Sequence, residues 1–178
     1  DDLSAFEPSP EVAAGYPELL ARLPGAPAGR FVKGHVTGPI SFGLTVTDAR
    51  GRAVLHDDTL RDVVVGGLAA QARAQCRRLA RFGREVILFV DEPYLSSFGS
   101  ATVPITERDV IDCLDAVTKA ILEEGAQPGV HCCGNTDWSL LTRTHARIIN
   151  FDAYNYLEGL TLYPTELAGF LDRGGALA

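Results

Sequence analysis

The sequence lacks the features that mark membrane, secreted and disulfide-stabilised proteins. No apolar run approaches the roughly 18 residues of a membrane-spanning helix. The first residues show neither the basic region nor the apolar region of a signal peptide. Cysteine is scarce, and two of the four residues are adjacent, which is unsuited to a structural disulfide between them. We therefore expect a cytoplasmic protein with reduced thiols and no membrane partner.

Positive charge is also in short supply. The chain has 16 Lys and Arg residues against 23 Asp and Glu residues, giving a net charge of −7. Such a protein is a poor partner for a phosphate backbone, so we expect no nucleic acid partner.

The chain has 178 residues, 46% of them hydrophobic, which is enough for one domain with a core. We interpret residues 1–178 as a single domain in which residues 1–30, rich in Pro, Gly and Ala, form a lead-in segment.

After the lead-in segment, strand-like and helix-like patterns alternate. Short apolar runs predict strands at 31–37, 85–91, 128–133 and 147–152, with a fifth strand beginning at 176. Apolar residues at helical spacing predict helices at 10–23, 58–82, 104–125, 137–144 and 164–172. The alternation predicts an α/β fold with a parallel sheet, either an open doubly wound sheet or a barrel.

The apolar ending favours the barrel over the open sheet. Two glycines lead into Ala-Leu-Ala, where the sequence stops within an apparent strand, and a (β/α)8 TIM barrel usually needs about 250 residues. We therefore expect an incomplete (β/α)8 barrel in this chain. Two open sheet edges would follow, and self-association through them would be a consequence.

Each predicted strand ends in polar residues. Because the carboxyl ends of parallel strands meet at one edge, functional residues in such folds gather there. The polar residues at the four strand ends are His35 and Thr37, then Asp91 and Glu92, then the segment 131–135, and finally Asp152. If the topology is right, they form one site.

His131 and Cys133 are the sharpest candidates for metal binding. Side chains two apart on a strand share a face, so these two point together and Cys132 points away. An imidazole and a thiolate side by side suit Zn²⁺, and Asp152 at the tip of the neighbouring strand is the best third ligand in view. The alternative is a buried histidine next to core thiols.

Asp91 and Glu92 follow an apolar strand directly and must face opposite ways. Asp91 at such a rim can hold a substrate amine or act as an acid or base. For Glu92, the plainer interpretation is a cap of the following turn or a salt bridge.

Four segments together resemble a known family. VKGHVTGPISFGL, FVDEPYL, GVHCCGNTDW and INFDAY occur in the order and spacing of the catalytic domain of cobalamin-independent methionine synthase. They resemble more broadly the barrel superfamily that also contains uroporphyrinogen decarboxylase and the methylcobalamin:coenzyme M methyltransferases. The resemblance covers roughly residues 30–178.

The resemblance implies a (β/α)8 barrel enzyme whose zinc activates a thiol, most simply homocysteine methylated from a methylated folate. It implies that His131 and Cys133 ligate zinc, that Asp152 stands where the family has a glutamate ligand, and that Asp91 holds the substrate amino group. The family's last cysteine ligand has no counterpart, because no cysteine follows Cys133.

Three alternatives stay open at this point. One is a corrinoid-linked thiol methyltransferase of the same superfamily, which would use the same His-x-Cys pair. Another is an incomplete, non-catalytic domain, which the missing cysteine ligand favours. The third is a decarboxylase of the porphyrin type, against which the pair of His131 and Cys133 argues because that branch needs no zinc.

Overall fold

The computed structural model describes residues 2–100 and 103–178; the predicted domain bound at Asp1 lies outside these residues. Five strands and seven α-helices occur within them. In chain order they are α1 (Gly15–Arg22), β1 (Phe31–Thr37), α2 (Pro39–Thr45), α3 (Asp58–Ala80), β2 (Glu85–Asp91), α4 (Glu107–Glu123), β3 (Gln127–Cys132), α5 (Trp138–Thr142), β4 (Ile148–Phe151), α6 (Ala153–Thr161), α7 (Pro164–Asp172) and β5 (Ala176–Leu177).

The five strands form one parallel sheet in the order β1-β2-β3-β4-β5. This confirms the predicted α/β class with a parallel sheet, and it confirms that the four predicted strands are parallel neighbours in chain order. β1 and β5 are the edge strands of this sheet. Each strand pairs with the next one along the chain, so the chain advances across the sheet in one direction.

One face of the sheet is covered by helices. Val32, Val36, Val90, Val130 and Ile149 are all buried on it. A Cβ on Gly34 would lie 3.1 Å from Cδ1 of Leu79, which places α3 against this face. Trp138 of α5 packs edge-on against Phe151 of β4, with ring centroids 5.5 Å apart. The buried residues of α4 complete the layer, and they include an apolar stripe at helical spacing: Val110, Cys113, Leu114, Val117 and Ile121.

The opposite face of the sheet carries polar and half-exposed residues. Lys33 and His35 of β1 are exposed on it. Its buried aromatic is Phe89, whose ring lies 4.5 Å below the Lys33 ammonium. The ring also covers Gly129, where a Cβ would come within 2.5 Å of Phe89 Cε1, so glycine is required there. All-parallel sheets normally have both faces covered, and this one is covered on one side by its own helices.

Two helices were not predicted and several bounds differ. α2 follows β1 directly, where the sequence indicates only that a glycine and a proline end the strand. α6 covers residues for which the sequence predicts neither a helix nor a strand. The lead-in helix begins at Gly15 rather than Pro10. In α3, Val63 shares the helical spacing of the other apolar residues but is 66% exposed. No helix within residues 2–100 and 103–178 is long and apolar enough to cross a membrane.

Candidate functional site

The carboxyl ends of four strands place one polar side chain each in a line across the sheet. Strand register pairs Thr37 with Asp91, Asp91 with His131, and His131 with Asn150. Paired residues on neighbouring strands point to the same face, so all four side chains project from the face that the helices leave open. We call Thr37, Asp91, His131 and Asn150 the rim row. The predicted convergence of Asp91 and His131 at one edge follows directly from this register.

The two adjacent thiols have opposite environments. Cys132 is fully buried in the helix-covered core, where its Sγ lies 3.4 Å from the Gly134 carbonyl oxygen. Burial raises the pKa of the Cys132 thiol to about 11. Cys133 comes directly after β3 and is exposed. The two thiols therefore differ in burial as the prediction requires, while the side of the sheet on which Cys133 lies stays a prediction, because β3 ends at Cys132.

His131 is half-buried and hydrogen-bonded through one ring nitrogen. Its Nδ1 lies 2.5 Å from Oδ1 of Asn150, and Nδ2 of Asn150 donates to the carbonyl oxygen of Ala178 at 2.9 Å. Nε2 of His131 has no hydrogen-bond partner among the described residues. The ring is thus anchored on one side and open on the other. Asn150 gives no sequence signal of its own, because it is recognisable only once the register of β4 is known.

Asp91 is half-buried at the end of β2. Its backbone oxygen accepts from Gly38 N at 2.8 Å, which holds the end of β2 against the turn after β1. No side-chain hydrogen bond or ion pair to Asp91 is formed by any residue that the structure describes. An unpaired carboxylate next to His131 is available for a cationic group of a ligand.

Glu92 has a different environment from its neighbour. It is completely buried, and its carboxylate accepts hydrogen bonds from Ile40 N at 2.9 Å, Ser41 N at 2.8 Å and Ser41 Oγ at 2.7 Å. Burial raises the pKa of Glu92 to about 7, and the hydrogen bonds from Ser41 and Ile40 oppose this shift because they stabilise the charged form.

The hydrogen bonds of Glu92 join three strand ends. The amides that it accepts from belong to the first turn of α2, where backbone N–H groups lack helical partners. Its own amide donates to the His131 carbonyl oxygen at 2.8 Å. The expected cap of the following turn or salt bridge is therefore wrong in its partner: Glu92 caps a helix that precedes it by some fifty residues. In the sequence, Glu92 lies an even number of positions from the buried residues of β2 on the helix-covered face. This spacing indicates that its side chain points into the same layer.

Asp152 caps α6. Its Oδ1 accepts from Tyr154 N at 3.1 Å and Asn155 N at 3.2 Å, and its Oδ2 accepts from the Asn155 side chain at 2.5 Å. The hydrogen bond from the Asn155 side chain is the main reason that the pKa of Asp152 lies below its ordinary value. Both oxygens of the predicted third ligand are therefore already engaged in a local structural role.

The side chains at the rim offer ligand atoms of the kinds that zinc prefers, but these atoms are few. No group of three or more His, Cys, Asp or Glu side chains is arranged to hold a metal within the described ranges. The open Nε2 of His131 and the exposed thiol of Cys133 are ligands that Zn²⁺ prefers, and Cys133 follows His131 by two residues. Two protein ligands are thus in view, while Asp152 would have to leave its helix cap to become a third.

The remaining polar candidates have structural roles. Trp138 is fully buried, and its Nε1 donates to Asn135 Oδ1 at 3.1 Å, so its role is packing. His145 is exposed, and its Nδ1 lies 2.9 Å from Asp115 Oδ1. Cys76 of α3 and Cys113 of α4 are buried. No known family model matches the chain, and no curated protein matches it either.

Proposed function

We propose that this chain carries the thiol-activating part of a zinc-dependent methyltransferase of the cobalamin-independent methionine synthase type. The observation that carries the proposal is the register of the rim row, which sets the unpaired carboxylate of Asp91 beside His131. Cys133 comes directly after β3 and is exposed, and we infer that its thiol lies on the side of His131. One small molecule bearing both a sulfur and an ammonium group would meet complementary groups there.

The fold that we infer for the whole enzyme is the (β/α)8 barrel. Support comes from the sheet order, in which each strand neighbours the next along the chain. In a barrel, the helices lie outside and the other face of the sheet lines the interior. A doubly wound sheet reverses its strand order and carries helices on both faces, which differs from the arrangement here. The polar face with Lys33 and His35 would then be part of a barrel interior.

His131 and Cys133 are the residues that would hold the metal. When bound, zinc would keep a substrate thiol deprotonated yet nucleophilic at neutral pH. Asp91 would bind the substrate ammonium through a charge-assisted hydrogen bond and so fix the position of the sulfur. In the overall reaction, the thiolate sulfur bonds to the methyl carbon of a methylated folate. The bond from that carbon to the donor nitrogen breaks, and the nitrogen takes up a proton.

Zinc binding by the full chain is the first test. We expect one zinc ion per chain, lost in His131→Ala and Cys133→Ser and retained in Cys132→Ala, which removes a thiol from the other face. Retained zinc in either of the first two variants would contradict the assignment. Absence of zinc binding by the parent chain would instead favour the incomplete, non-catalytic domain.

Asp91→Asn tests the amino-thiol part of the proposal. Removing one partner of a desolvated charge pair costs roughly 2–5 kcal/mol, so we expect homocysteine binding to the zinc-loaded chain to weaken strongly. Zinc content should be unchanged, because Asp91 is not a ligand. If homocysteine binds as well to the variant as to the parent, a thiol without an amino group becomes the better substrate. Methyl transfer from a corrinoid protein rather than a folate would then be the reaction to measure.

A further inference from the structure

Asn150 connects the His131 ring to the backbone at the end of β5. The Ala178 carbonyl oxygen can only accept a hydrogen bond, so the Asn150 group 2.9 Å from it must be the amide NH₂. This contact fixes which way the amide points and leaves Oδ1 directed at the ring. Nδ1 of His131 lies 2.5 Å from that oxygen. An amide oxygen cannot donate, so Nδ1 must carry the proton.

The consequence concerns the other ring nitrogen. In a neutral imidazole, a proton on Nδ1 leaves the lone pair on Nε2. A neutral histidine side chain in water favours the opposite tautomer, with the proton on Nε2, so the contact with Asn150 reverses the intrinsic preference. Nε2 has no protein partner among the residues described here.

We propose that Asn150 is a positioning residue that holds His131 as its Nδ1–H tautomer and so directs the Nε2 lone pair to a divalent cation. The proposal rests on the proposed function for the identity of that cation. Histidine ligands of metals usually donate their second ring N–H to a protein acceptor, which fixes the tautomer and orients the ring. An asparagine amide whose other end is tied to the backbone is such an acceptor.

Strand pairing makes this device rigid. His131 and Asn150 are register partners on neighbouring strands, so their side chains leave the sheet side by side. Ala178 in turn is held by two backbone hydrogen bonds with β4, from Phe151 N to its oxygen at 3.1 Å and from its N to Ile149 O at 3.0 Å. The acceptor of the Asn150 amide is therefore a fixed part of the sheet.

The first experiment determines the His131 tautomer in the metal-free full chain. Long-range ¹H–¹⁵N correlation spectra, recorded with the histidines neutral, distinguish a protonated Nδ1 from a protonated Nε2. We expect Nδ1–H in the parent chain, a shift toward Nε2–H in Asn150→Ala, and Nδ1–H again in Asn150→Asp, which keeps an acceptor. Asp115→Ala is the matched control, because it removes the partner of His145 and should leave the His131 signals unchanged. Nε2–H in the parent, or Nδ1–H in Asn150→Ala, would overturn the proposal.

The second experiment measures Zn²⁺ affinity by competition with a chelator. Loss of such an outer partner weakens metal binding by roughly 10–100-fold, so we expect that loss in Asn150→Ala and its recovery in Asn150→Asp. Urea unfolding of each variant separates this effect from a loss of folded protein. An altered tautomer with unaltered zinc affinity would overturn the role toward the cation. If the parent has Nδ1–H but binds no zinc, the proposed function fails while the tautomer assignment stands.

Discussion

Glu92 occupies the space that a side chain at position 38 would need. A Cβ on Gly38 would lie 2.1 Å from Cδ of Glu92 and 2.3 Å from its Oε1. The carboxylate cannot retreat easily, because three hydrogen bonds from the start of α2 hold it. The glycine is therefore needed for close approach rather than for an unusual backbone angle, since its φ is −74°.

Gly38→Ala should be destabilising for this reason. Overpacking a well-filled core typically costs about 1–3 kcal/mol, and we expect a loss of that size in the free energy of unfolding measured in urea. Gly66→Ala is the control, because Gly66 lies inside α3 with nothing within 4 Å of an added Cβ. There, alanine should stabilise the helix by roughly 0.5–1 kcal/mol. Equal effects of the two substitutions would show that the contact with Glu92 has no energetic weight.

Glu92 should make stability depend on pH near neutrality. Its pKa is raised from 4.5 to about 7 in the folded chain, so the folded state holds a proton that the unfolded state has already released. The stabilisation is fully present below pH 4.5 and is lost as the pH rises through 7. For a shift of this size, the loss is on the order of 3 kcal/mol.

Glu92→Gln removes this titration. The variant leaves an amide donor facing N–H groups, which costs about 1–3 kcal/mol. Its free energy of unfolding should, however, lack the pH dependence that Glu92 contributes. We expect the parent's advantage in the free energy of unfolding to shrink between about pH 5 and about pH 8. All other ionisable groups are common to the two chains, so their contributions cancel in the difference. A difference that stays constant with pH would rule out a raised pKa.

The four thiols should react very unequally with an alkylating reagent. Burial raises the pKa of Cys76 to about 12 and the pKa values of Cys113 and Cys132 to about 11. Cys133 alone is exposed. Because the thiolate is the reactive form, we expect one adduct on the native chain by mass spectrometry, absent in Cys133→Ser and unchanged in Cys132→Ala. Labelling of Cys132 at a comparable rate would show that β3 does not protect it.

Asp152 combines a known structural role with a predicted metal role, and two substitutions separate them. Asp152→Ala removes the cap of α6 and should lower the free energy of unfolding by about 1 kcal/mol. Asp152→Asn should retain the cap, because asparagine is an equally good N-cap residue. If Asp152 also ligates zinc, both variants bind the metal more weakly than the parent. Full zinc affinity in Asp152→Asn would restrict the residue to capping.

Local patterns predicted the strands and the long helices because each carries its own signal. The run of apolar residues before Asp91 and the cap and stripe of α4 are readable from neighbouring positions. α2 was missed because it is short and its first turn is satisfied by Glu92, which lies far away in sequence. α6 was missed because Asp152 was interpreted as the end of a strand and a ligand rather than as a helix cap.

The functional site likewise has features that the local sequence predicts and features that it does not. Parallel order predicts that Asp91 and His131 share an edge, as their register shows. Strand alternation predicts opposite orientations for Cys132 and Cys133, and the two do differ in burial. The contact of Asn150 with His131 depends on the register between two strands. That register is set by packing and hydrogen bonding in three dimensions, so no spacing in the sequence indicates it.

Alternate residues of each strand have different roles, because they point to opposite faces of the sheet. In β3, Val130 and Cys132 are buried and contribute to the stability of the fold, while the side chain of His131 between them lies on the open face. A substitution of His131 leaves the packing of its two neighbours nearly untouched, because their side chains lie on the other face. Gly129, on the same face as His131, is in contrast fixed by the Phe89 ring. Ligand specificity can therefore change at the end of the strand while the rest of it is kept for folding. A library of variants would accordingly randomise codon 131 of β3 and keep codons 129, 130 and 132 fixed.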